Sequence, residues 1–467
     1  MSRIAVFLVV LLALCAAGAG LFAHGARHPE GLALREIGQR AGEAYIFGFP
    51  LVLMDETRAA TLDRQGASQN QLVHVRTLPG YGDEAVVRPN RDTLYSLAWL
   101  DLSAGPVELV WPQTSGRYWL FQVMDSWTDV AGAPGSRTQG AMPGRAFITG
   151  PDWTGSVPDG AVHVAVSTPS AWVIGRIAVA PDPPDLEAGR ALQSGFSLVT
   201  PEIIPEIAPR IVRQRAASGA AFKGSERPVD IVSALPARDY FQRLAVLMAR
   251  ESPRREDAAA LRRFLGIGLF PGAFDQTGKG WIARRAASRG VAVARQRLAD
   301  AADGLAPGPN GWRVVRDGLG DYGTNYELRA GVAMIGLGAN RAEDAIYPNT
   351  ETDAEGRPLS GDHTYRIRFE AGESPPAAAF WSITAYDLQG FLLDTPRHAL
   401  GDRDALVFGS DGSLEIVIGA QPPASAEAAN VLPVTPGQPF ALTARLYDPE
   451  PEALSGSWTM PPVERID

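Results

Sequence analysis

One pattern of five residues occurs twice in this chain and constrains its fold more than any other feature. The two copies are Asp92, Tyr95, Trp119, Met124, Asp125 and Asp344, Tyr347, Trp381, Tyr386, Asp387. Order and spacing agree, except that ten additional residues separate the first Asp from the Trp in the second copy, around the polar segment 350–362. A repeat over this distance predicts two related β modules. A chance match between short motifs is the alternative.

Short apolar runs bounded by turn residues lie on both sides of a central helical region. RYWLFQVMD and AWVIGRIAV precede it, and YRIRFE, AFWSITAYD and FALTARLYD follow it. The 49 Gly and 37 Pro supply turns between such runs. We therefore predict a mainly β protein with a helical insert: two β-sandwich or jelly-roll-like domains plus an N-terminal helix. Gly48-Phe49-Pro50 is expected to interrupt that helix.

Domain boundaries are predicted where the sequence changes between short apolar runs and helical patterns. Residues 1–23 form a signal peptide or N-terminal anchor, 24–184 the N-terminal helix and first sandwich, 185–304 the helical insert, and 305–467 the second sandwich. The boundary after residue 184 is placed at Pro181-Asp182-Pro183-Pro184, which ends the series of short strands.

The first residues have the pattern of a secretory signal. Arg3 precedes an apolar run, and the small residues Ala17-Gly18-Ala19 follow it. We expect an exported protein, periplasmic or secreted, and the alternative is an inner-membrane anchor formed by residues 4–23. Cys15, the single cysteine, lies in this segment, so a cleaved chain would have no disulfide and no cysteine-ligated metal.

Charge and motifs exclude several classes of function. The net charge of −9, without a basic stripe interleaved with aromatic residues, argues against a nucleic-acid partner. The chain has no G-x-S-x-G, H-E-x-x-H or P-loop motif. No cofactor is predicted. The spacing of Glu351, Asp353, Glu355 and Asp362 weakly resembles a calcium loop, and a polar hairpin explains the same residues.

The candidate site residues come mainly from the first copy of the repeat. Asn90, Arg91 and Tyr95 would bind a ligand's oxygens, while Asp92 and Asp125 would transfer protons. A carboxylate pair of this kind lies about 5–10 Å apart in glycosidases. The alternative is that Asn90 and Asp92 only cap a turn and that Asp125 ends a strand.

Two further residues near Asp125 are candidates for ligand contact. Trp127 follows it closely in the chain, and Arg137 would clamp an anion or is simply an exposed loop arginine. Trp119 and Trp381 are expected in the core rather than at a ligand.

These segments resemble a known exported bacterial family. RPNRDTLYSLAWLDL and RYWLFQVMDSWTD are similar to domain of unknown function 1254, and YGTNYELRAGVAMIGLGANRAEDAIYP and FWSITAYD are similar to domain of unknown function 1214. The resemblance implies two jelly-roll-like sandwiches with a helical segment between them, in an envelope or secreted protein. It implies no catalytic residues. By motif position it adds Tyr322, Asn325, Tyr347 and Tyr386 to the candidate ligand-binding residues.

Two functional hypotheses follow. The first is an envelope protein that binds a small or saccharide-like ligand near the domain seam, with hydrolase or lyase activity at the two aspartates. The second is a non-catalytic scaffold or partner-binding protein. Membrane association is expected only through an uncleaved leader, and homo-oligomers are an option that β sandwiches often take.

Overall fold

Turn-bounded strands make up most of the computed structural model, which describes residues 33–65, 68–83, 87–200, 210–211, 215–217, 227–303 and 308–467. The predicted leader, residues 1–23, lies outside the described residues. Within them, no helix is both long and apolar enough to cross a membrane.

Nine α-helices are present in the described ranges, and only the first and seventh exceed four turns. They are α1 Leu34–Gln65, α2 Ser136–Gln139, α3 Pro183–Gln193, α4 Pro228–Ala234, α5 Ala237–Arg250, α6 Ala258–Phe264, α7 Trp281–Asp303, α8 Tyr326–Gly336 and α9 Pro451–Ser455.

The strands are mostly short, as the turn-rich composition predicts. They are β1 Val73–Val75, β2 Thr93–Asp101, β3 Val107–Trp111, β4 Trp119–Asp125, β5 Val130–Gly132, β6 Gly144–Thr149, β7 Val162–Ala165, β8 Ser170–Ala178, β9 Ser197–Thr200, β10 Arg210–Ile211, β11 Arg215–Ala217, β12 Leu269–Phe270, β13 Ala273–Phe274, β14 Ala345–Ile346, β15 Asn349–Thr350, β16 Tyr365–Phe369, β17 Ala377–Tyr386, β18 Ala399–Gly401, β19 Leu414–Gly419, β20 Val431–Pro433, β21 Ala441–Pro449 and β22 Glu464–Arg465.

The first sandwich consists of a sheet with strand order β11-β1-β2-β8-β4-β5 and a second sheet with order β10-β9-β3-β6-β7. Inward and outward side chains alternate along its strands. Trp119, Phe121 and Val123 of β4 point inward and meet Leu109 of β3 in one apolar cluster. The residues between them, such as Leu120, point to the outer face of the same sheet.

The second sandwich has the same construction. One sheet has the order β14-β21-β17-β18, with β15 also paired to β21, and the other has the order β20-β19-β16-β22. Trp381 and Ile383 of β17 pack in its core against Ile367 and Ile416 of the opposite sheet. The prediction of two sandwiches is therefore confirmed, and both repeated tryptophans are core residues.

The two sandwiches share one topology. The order β2-β8-β4-β5 corresponds to β14-β21-β17-β18, and β9-β3-β6-β7 corresponds to β22-β16-β19-β20. The strand directions also agree, because the edge pairs β6–β7 and β19–β20 are both parallel and occupy equivalent positions in their sheets. A duplicated module accounts for this agreement. Of the ten additional residues of the second copy, six lie before β16, where the first copy has a short turn between β2 and β3, and four lie between the start of β16 and Trp381.

The compact units of the structure differ from the predicted domain boundaries. One unit contains the described residues up to Leu53 together with Pro228–Asp303 and Thr324–Met334, and the other contains Met54–Arg227, Gly304–Gly323 and Ile335–Asp467. Both sandwiches thus belong to a single unit. The first sandwich also extends past residue 184, since β9 pairs with β3. Changes of residue pattern along the sequence mark where the type of secondary structure changes. A compact unit, by contrast, consists of segments that are distant in the chain.

Helix α1 does not stop at Pro50, although an interruption was expected there. Its buried neighbours explain the difference: Phe49 and Leu51 are at most 1% exposed, and packing of this kind outweighs the hydrogen bond that a proline removes. Gly48 also suits this packing, because a Cβ at this position would lie 2.3 Å from a methyl carbon of Leu244 in α5, and that side chain would have to move.

Helices α1 and α7 approach each other through glycines, and one substitution tests this contact. A Cβ at Gly290 of α7 would lie 1.8 Å from the backbone oxygen of Gly38 in α1. We expect Gly290→Ala to lower the free energy of unfolding by about 1–3 kcal/mol, measured by urea denaturation, because backbone has to move. Gly331→Ala in α8 is the matched control, since nothing lies within 4 Å of its Cβ. There we expect a small gain from helix propensity. Equal behaviour of the two variants would contradict the close approach.

Candidate functional site

The outer faces of two sheets, one from each sandwich, contact each other and bury polar side chains between them. Leu120 and Ala178 of the first sandwich pack with Phe380 and Tyr447 of the second in one cluster. Tyr118 and Phe380, which both precede the repeated tryptophan by one residue, meet ring to ring at 5.4 Å between centroids. Equivalent faces of the two modules therefore meet. We call the polar part of this contact the seam and define it by Asp92, Tyr95, Arg176, Tyr347, Tyr386, Arg445 and Tyr447.

Asp92 is the buried carboxylate of the seam. It precedes β2 directly, and its side chain accepts hydrogen bonds from Ser382 Oγ at 2.8 Å and from Tyr447 Oη at 3.2 Å. Arg403 approaches the same carboxylate at 3.5 Å. All three partners belong to the second sandwich, so Asp92 joins the two modules.

Asn90 organises the turn that presents Asp92. Its side-chain oxygen accepts hydrogen bonds from the backbone N–H groups of Asp92 and Thr93, each at 3.1 Å, while its Nδ2 donates to Tyr95 Oη at 2.9 Å. This is the capped turn that the sequence offered as an alternative. Arg91 donates to the backbone oxygen of Pro79, so it also has a structural partner.

Arg445 and Tyr386 form the part of the seam on the second sandwich. Arg445 donates to Tyr386 Oη at 2.8 Å, to the backbone oxygen of Arg88 at 2.8 Å and to Thr384 Oγ1 at 3.1 Å. Tyr386 donates in turn to the backbone oxygen of Pro89 at 2.7 Å. Burial raises the pKa of Tyr386, so this phenol is neutral and available as a donor.

Arg176 occupies the corresponding position in the first sandwich. It donates to Asn340 Oδ1 at 2.6 Å, to the backbone oxygen of Gly338 at 2.8 Å and to Gln122 Oε1 at 3.1 Å. Its guanidinium also lies 5.5 Å from the ring centroid of Tyr95.

The register shows that the two arginines are equivalent in the repeat. Arg176 on β8 pairs with Leu120 on β4, and Arg445 on β21 pairs with Ser382 on β17. Leu120 and Ser382 each follow the repeated tryptophan by one residue. Each module therefore places one arginine on the outer face of the sheet that meets its counterpart.

Asp125 lies far from Asp92, which does not fit the predicted carboxylate pair. Along β8, Asp125 pairs with Ala171, whereas Thr93, next to Asp92, pairs with Ala178. Seven residues of extended strand separate these points, or roughly 23 Å. Because both aspartates flank strands that pair with the same β8, they lie at its opposite ends.

Asp125 is a turn residue in this structure. It accepts hydrogen bonds from the backbone N–H of Trp127 at 2.9 Å and of Asp129 at 3.0 Å, and from Ser167 Oγ at 2.5 Å. Trp127 has no exposed surface, so its indole belongs to the packed interior. The arrangement matches the strand-ending role that the sequence offered as an alternative.

The other sequence candidates have separate positions. Arg137 contacts the Asp344 carboxylate at 2.7 Å and so links the first sandwich to the second. Tyr322 is buried, and its backbone N–H donates to Asp129 Oδ1 at 2.9 Å. Asn325 belongs to the other compact unit, where its side chain caps α8 by accepting from the backbone N–H of Leu328 at 3.1 Å. Of the eleven predicted site residues, the seam contains Asp92, Tyr95, Tyr347 and Tyr386.

Asp344 provides a test through pH. Burial raises the pKa of this carboxyl, against the opposing effect of Arg137. A folded pKa above that of the unfolded chain, about 3.9, means that the native state holds the proton more tightly, and the contribution of Asp344 to stability falls as pH rises through this window. We expect the stability difference between wild type and Asp344→Asn to decline between pH 4 and pH 7 in urea denaturation. A difference that grows with pH would show that the Arg137 pair dominates.

The segment considered for calcium is a hairpin. Asp353 accepts backbone N–H groups from Glu355 and Arg357 at 3.0 and 2.9 Å, and Gly356 occupies the left-handed conformation with φ of 78°. Glu351 contacts Arg88 instead. In the described ranges, no group of three or more His, Cys, Asp or Glu side chains is arranged to hold a metal ion.

Sequence reasoning missed Arg176, Arg445 and Tyr447. A signal for the arginines was present, because VIGRIAV and LTARLYD each place one arginine inside an otherwise apolar strand. A cation in such a position needs buried partners. The repeat makes the signal stronger, since both arginines lie in the same strand of their modules.

The structure thus defines a protein of two β-sandwiches with one topology, joined through a buried polar seam. Residues 69–200 match the model of the family described as Protein of unknown function (DUF1254), and residues 344–451 match that of Protein of unknown function (DUF1214). The chain belongs to the proteins that combine these two domains, as the resemblance implied.

The chain is similar to two solved structures, and the first of them supports the fold. The VPA0106 protein from Vibrio parahaemolyticus is 24% identical, with a TM-score of 0.67 over 92% of this chain and 100% of its own. An uncharacterized protein from Burkholderia cenocepacia is 14% identical, with a TM-score of 0.45 over 93% of this chain and 95% of its own. No curated protein matches the chain.

Proposed function

We propose that this protein binds a small ligand at the seam between its two sandwiches. The observation that carries the proposal is the partial exposure of Tyr95 and Tyr347 beside side chains that are almost completely buried. Arg176 is 6% exposed, Arg445 is 4% exposed and Tyr447 is 1% exposed, whereas both tyrosines keep accessible surface. Sites that bind small molecules commonly combine aromatic rings with a few charged or polar groups.

The side chains at the seam suit a ligand with several oxygen atoms. Tyr95 and Tyr347 each combine an apolar ring with a hydroxyl, and such rings pack against small molecules while their hydroxyls fix orientation. Although part of the Tyr347 side chain is accessible, burial of the rest raises the pKa of its hydroxyl, which therefore keeps its proton and can donate. Guanidinium groups nearby add charged donors. A saccharide-like ligand is compatible with this set.

The proposal does not extend to hydrolysis or elimination by paired carboxylates. Asp92 and Asp125 are roughly 23 Å apart along β8, outside the range of about 5–10 Å in which two carboxylates share acid and base roles. Asp92 alone remains at the seam, where it accepts hydrogen bonds from Ser382 and Tyr447. Binding is therefore the function that the geometry supports best.

Export is a separate part of the proposal. It rests on the leader pattern of Arg3, the apolar run after it and Ala17-Gly18-Ala19. A small-molecule binding protein in the cell envelope would meet ligands from outside the cell. Fractionation of cells with an antibody to the chain tests this, and recovery in the cytoplasm at full length would contradict export.

Ligand binding is tested by thermal unfolding of the purified protein with a panel of sugars and small organic acids. A ligand that binds the native state raises the melting temperature. We expect at least one member to do so in wild type, and expect Tyr347→Ala to lose the shift relative to its own melting temperature.

Tyr81→Ala is the matched control for that experiment. Tyr81 is 65% exposed, so removal of its ring should leave the ligand-induced shift unchanged. A panel without any effect on wild type would overturn the proposal. So would an equal shift in Tyr347→Ala and wild type, which would place the ligand elsewhere.

A further inference from the structure

We infer that the ligand of the seam is an anion, a small molecule that carries a carboxylate and presents it to Arg176 and Arg445. The inference rests on the proposed function and specifies the chemistry of what is bound. It starts from an unusual feature of these two arginines: they are nearly buried, and yet neither forms an ion pair.

Neither arginine has a carboxylate oxygen within 4.0 Å in the described part of the chain, where the ion pairs involve other arginines. The hydrogen-bond partners of Arg176 are an asparagine, a glutamine and a backbone carbonyl. Those of Arg445 are a threonine, a tyrosine and a backbone carbonyl. All six partners are neutral. Buried cations in proteins are normally paired with an anion, because loss of hydration is costly.

Partly exposed arginines of the second sandwich behave in the opposite way. Arg366 contacts both Glu464 and Glu415, and Arg368 contacts Glu370, Asp411 and Glu415. Carboxylates are thus abundant where water already solvates the charge. They do not contact the two arginines for which an ion pair would matter most.

The first carboxylate of each copy of the repeat is already engaged by another arginine. Asp92 is approached by Arg403 at 3.5 Å, and Asp344 is held by Arg137 at 2.7 Å. The phenols near Arg176 and Arg445 cannot replace them. Burial raises the pKa of Tyr347 and of Tyr447, so both are neutral at physiological pH. Asp92 acts on Arg445 electrostatically from more than 4.0 Å away and is itself approached by Arg403, so the guanidinium groups of the seam outnumber its carboxylates.

Donor capacity points in the same direction. A guanidinium has five N–H donors, and three hydrogen bonds are formed by each of Arg176 and Arg445 with the partners named above. A carboxylate accepts up to about four hydrogen bonds and pairs with guanidinium in a fixed geometry. Tyr95 and Tyr347 would flank the ligand with hydroxyls. A cationic ligand would instead be repelled by both arginines.

Matched pairs of ligands test the charge. Thermal unfolding of the purified full chain is measured with benzoate and benzamide, glucuronate and glucose, and succinate and succinamide. We expect a higher melting temperature with at least one anion and none with its neutral counterpart. For that anion, we expect Arg176→Gln to weaken binding by roughly tenfold or more, the size of a lost charge-assisted hydrogen bond.

Two variants keep this experiment decisive. Arg366→Gln removes a partly exposed arginine of the second sandwich, outside the seam, and should leave anion binding unchanged. Arg176→Lys retains the charge and should bind more tightly than Arg176→Gln, which separates loss of charge from loss of fold. If Arg176→Gln does not fold, the comparison of anions with neutral molecules on wild type still decides.

The outcomes separate the two proposals. Shifts from neutral molecules that equal or exceed those from their anions would overturn the anionic ligand and leave ligand binding at the seam in place. Anion binding that is unchanged in Arg176→Gln would also overturn it. No shift from any of the six molecules or from the wider panel would remove the proposed function itself, and the anionic ligand with it.

Discussion

Replacement of Trp119 by alanine is expected to lower the free energy of unfolding by about 3–5 kcal/mol. The indole has no exposed surface and packs against Trp111 and Phe196, with ring centroids 5.1 and 5.5 Å away. Its Nε1 also donates to the backbone oxygen of Gly140 at 3.0 Å. Alanine would leave a cavity and an unpaired carbonyl in the centre of the first sandwich. The measurement is urea denaturation with an unchanged slope.

Trp381→Ala should give a loss of the same order, because Trp381 is 4% exposed and packs in the core of the second sandwich. Trp281→Ala is the control. This tryptophan begins α7 and is 68% exposed, so we expect a change within about 0.5 kcal/mol. A small effect at Trp119 would mean that its indole contributes something other than packing, and would reopen its role as a ligand platform.

Asp92→Ala is expected to cost about 2–4 kcal/mol. The substitution leaves the buried hydroxyls of Ser382 and Tyr447 without their acceptor and removes the anion that Arg403 approaches. We expect no larger loss of stability, because the Arg403 side chain is 30% exposed and solvent screens part of its charge. Asp92→Asn should cost less, since an amide oxygen still accepts a hydrogen bond.

A double-mutant cycle connects this loss to the contact between the sandwiches. Asp92→Ala and Ser382→Ala lie in different modules, 290 residues apart in the chain. We expect their combined effect to be smaller than the sum of the single effects by about 1 kcal/mol, because both remove the same hydrogen bond. Strict additivity, measured by urea denaturation, would contradict the described contact.

Much of the fold follows from local sequence. The strands are recognisable because short apolar runs such as RYWLFQVMD are bounded by turn residues, among them Gly and Pro. The repeat predicts a second module, and the strand order of both sheets agrees with it. Long-range packing decides the remaining points, such as the continuation of α1 through Pro50.

The candidate site was less predictable, for a physical reason. An aspartate that caps a turn and an aspartate that transfers a proton have the same letter and often the same neighbours, which is why Asp125 was a candidate. The partners of Asp92 and Arg445 are distant in the chain and become neighbours only when the two outer faces meet. Four seam residues were predicted from the repeat and the family resemblance, whereas the arginine inside each apolar strand was a further signal that was not used.

The meeting of Tyr118 with Phe380 has a consequence for the association of the two modules. Residues at equivalent positions contact each other on the axis of an isologous dimer, where the same patch of both subunits is self-complementary. The contact of the two modules retains this arrangement. Because both modules lie in one chain, this association of equivalent faces is independent of protein concentration, unlike that of a homodimer of separate modules. Because each module has its own sequence within the chain, equivalent positions can differ, and Asp92 and Asp344 have different arginine partners.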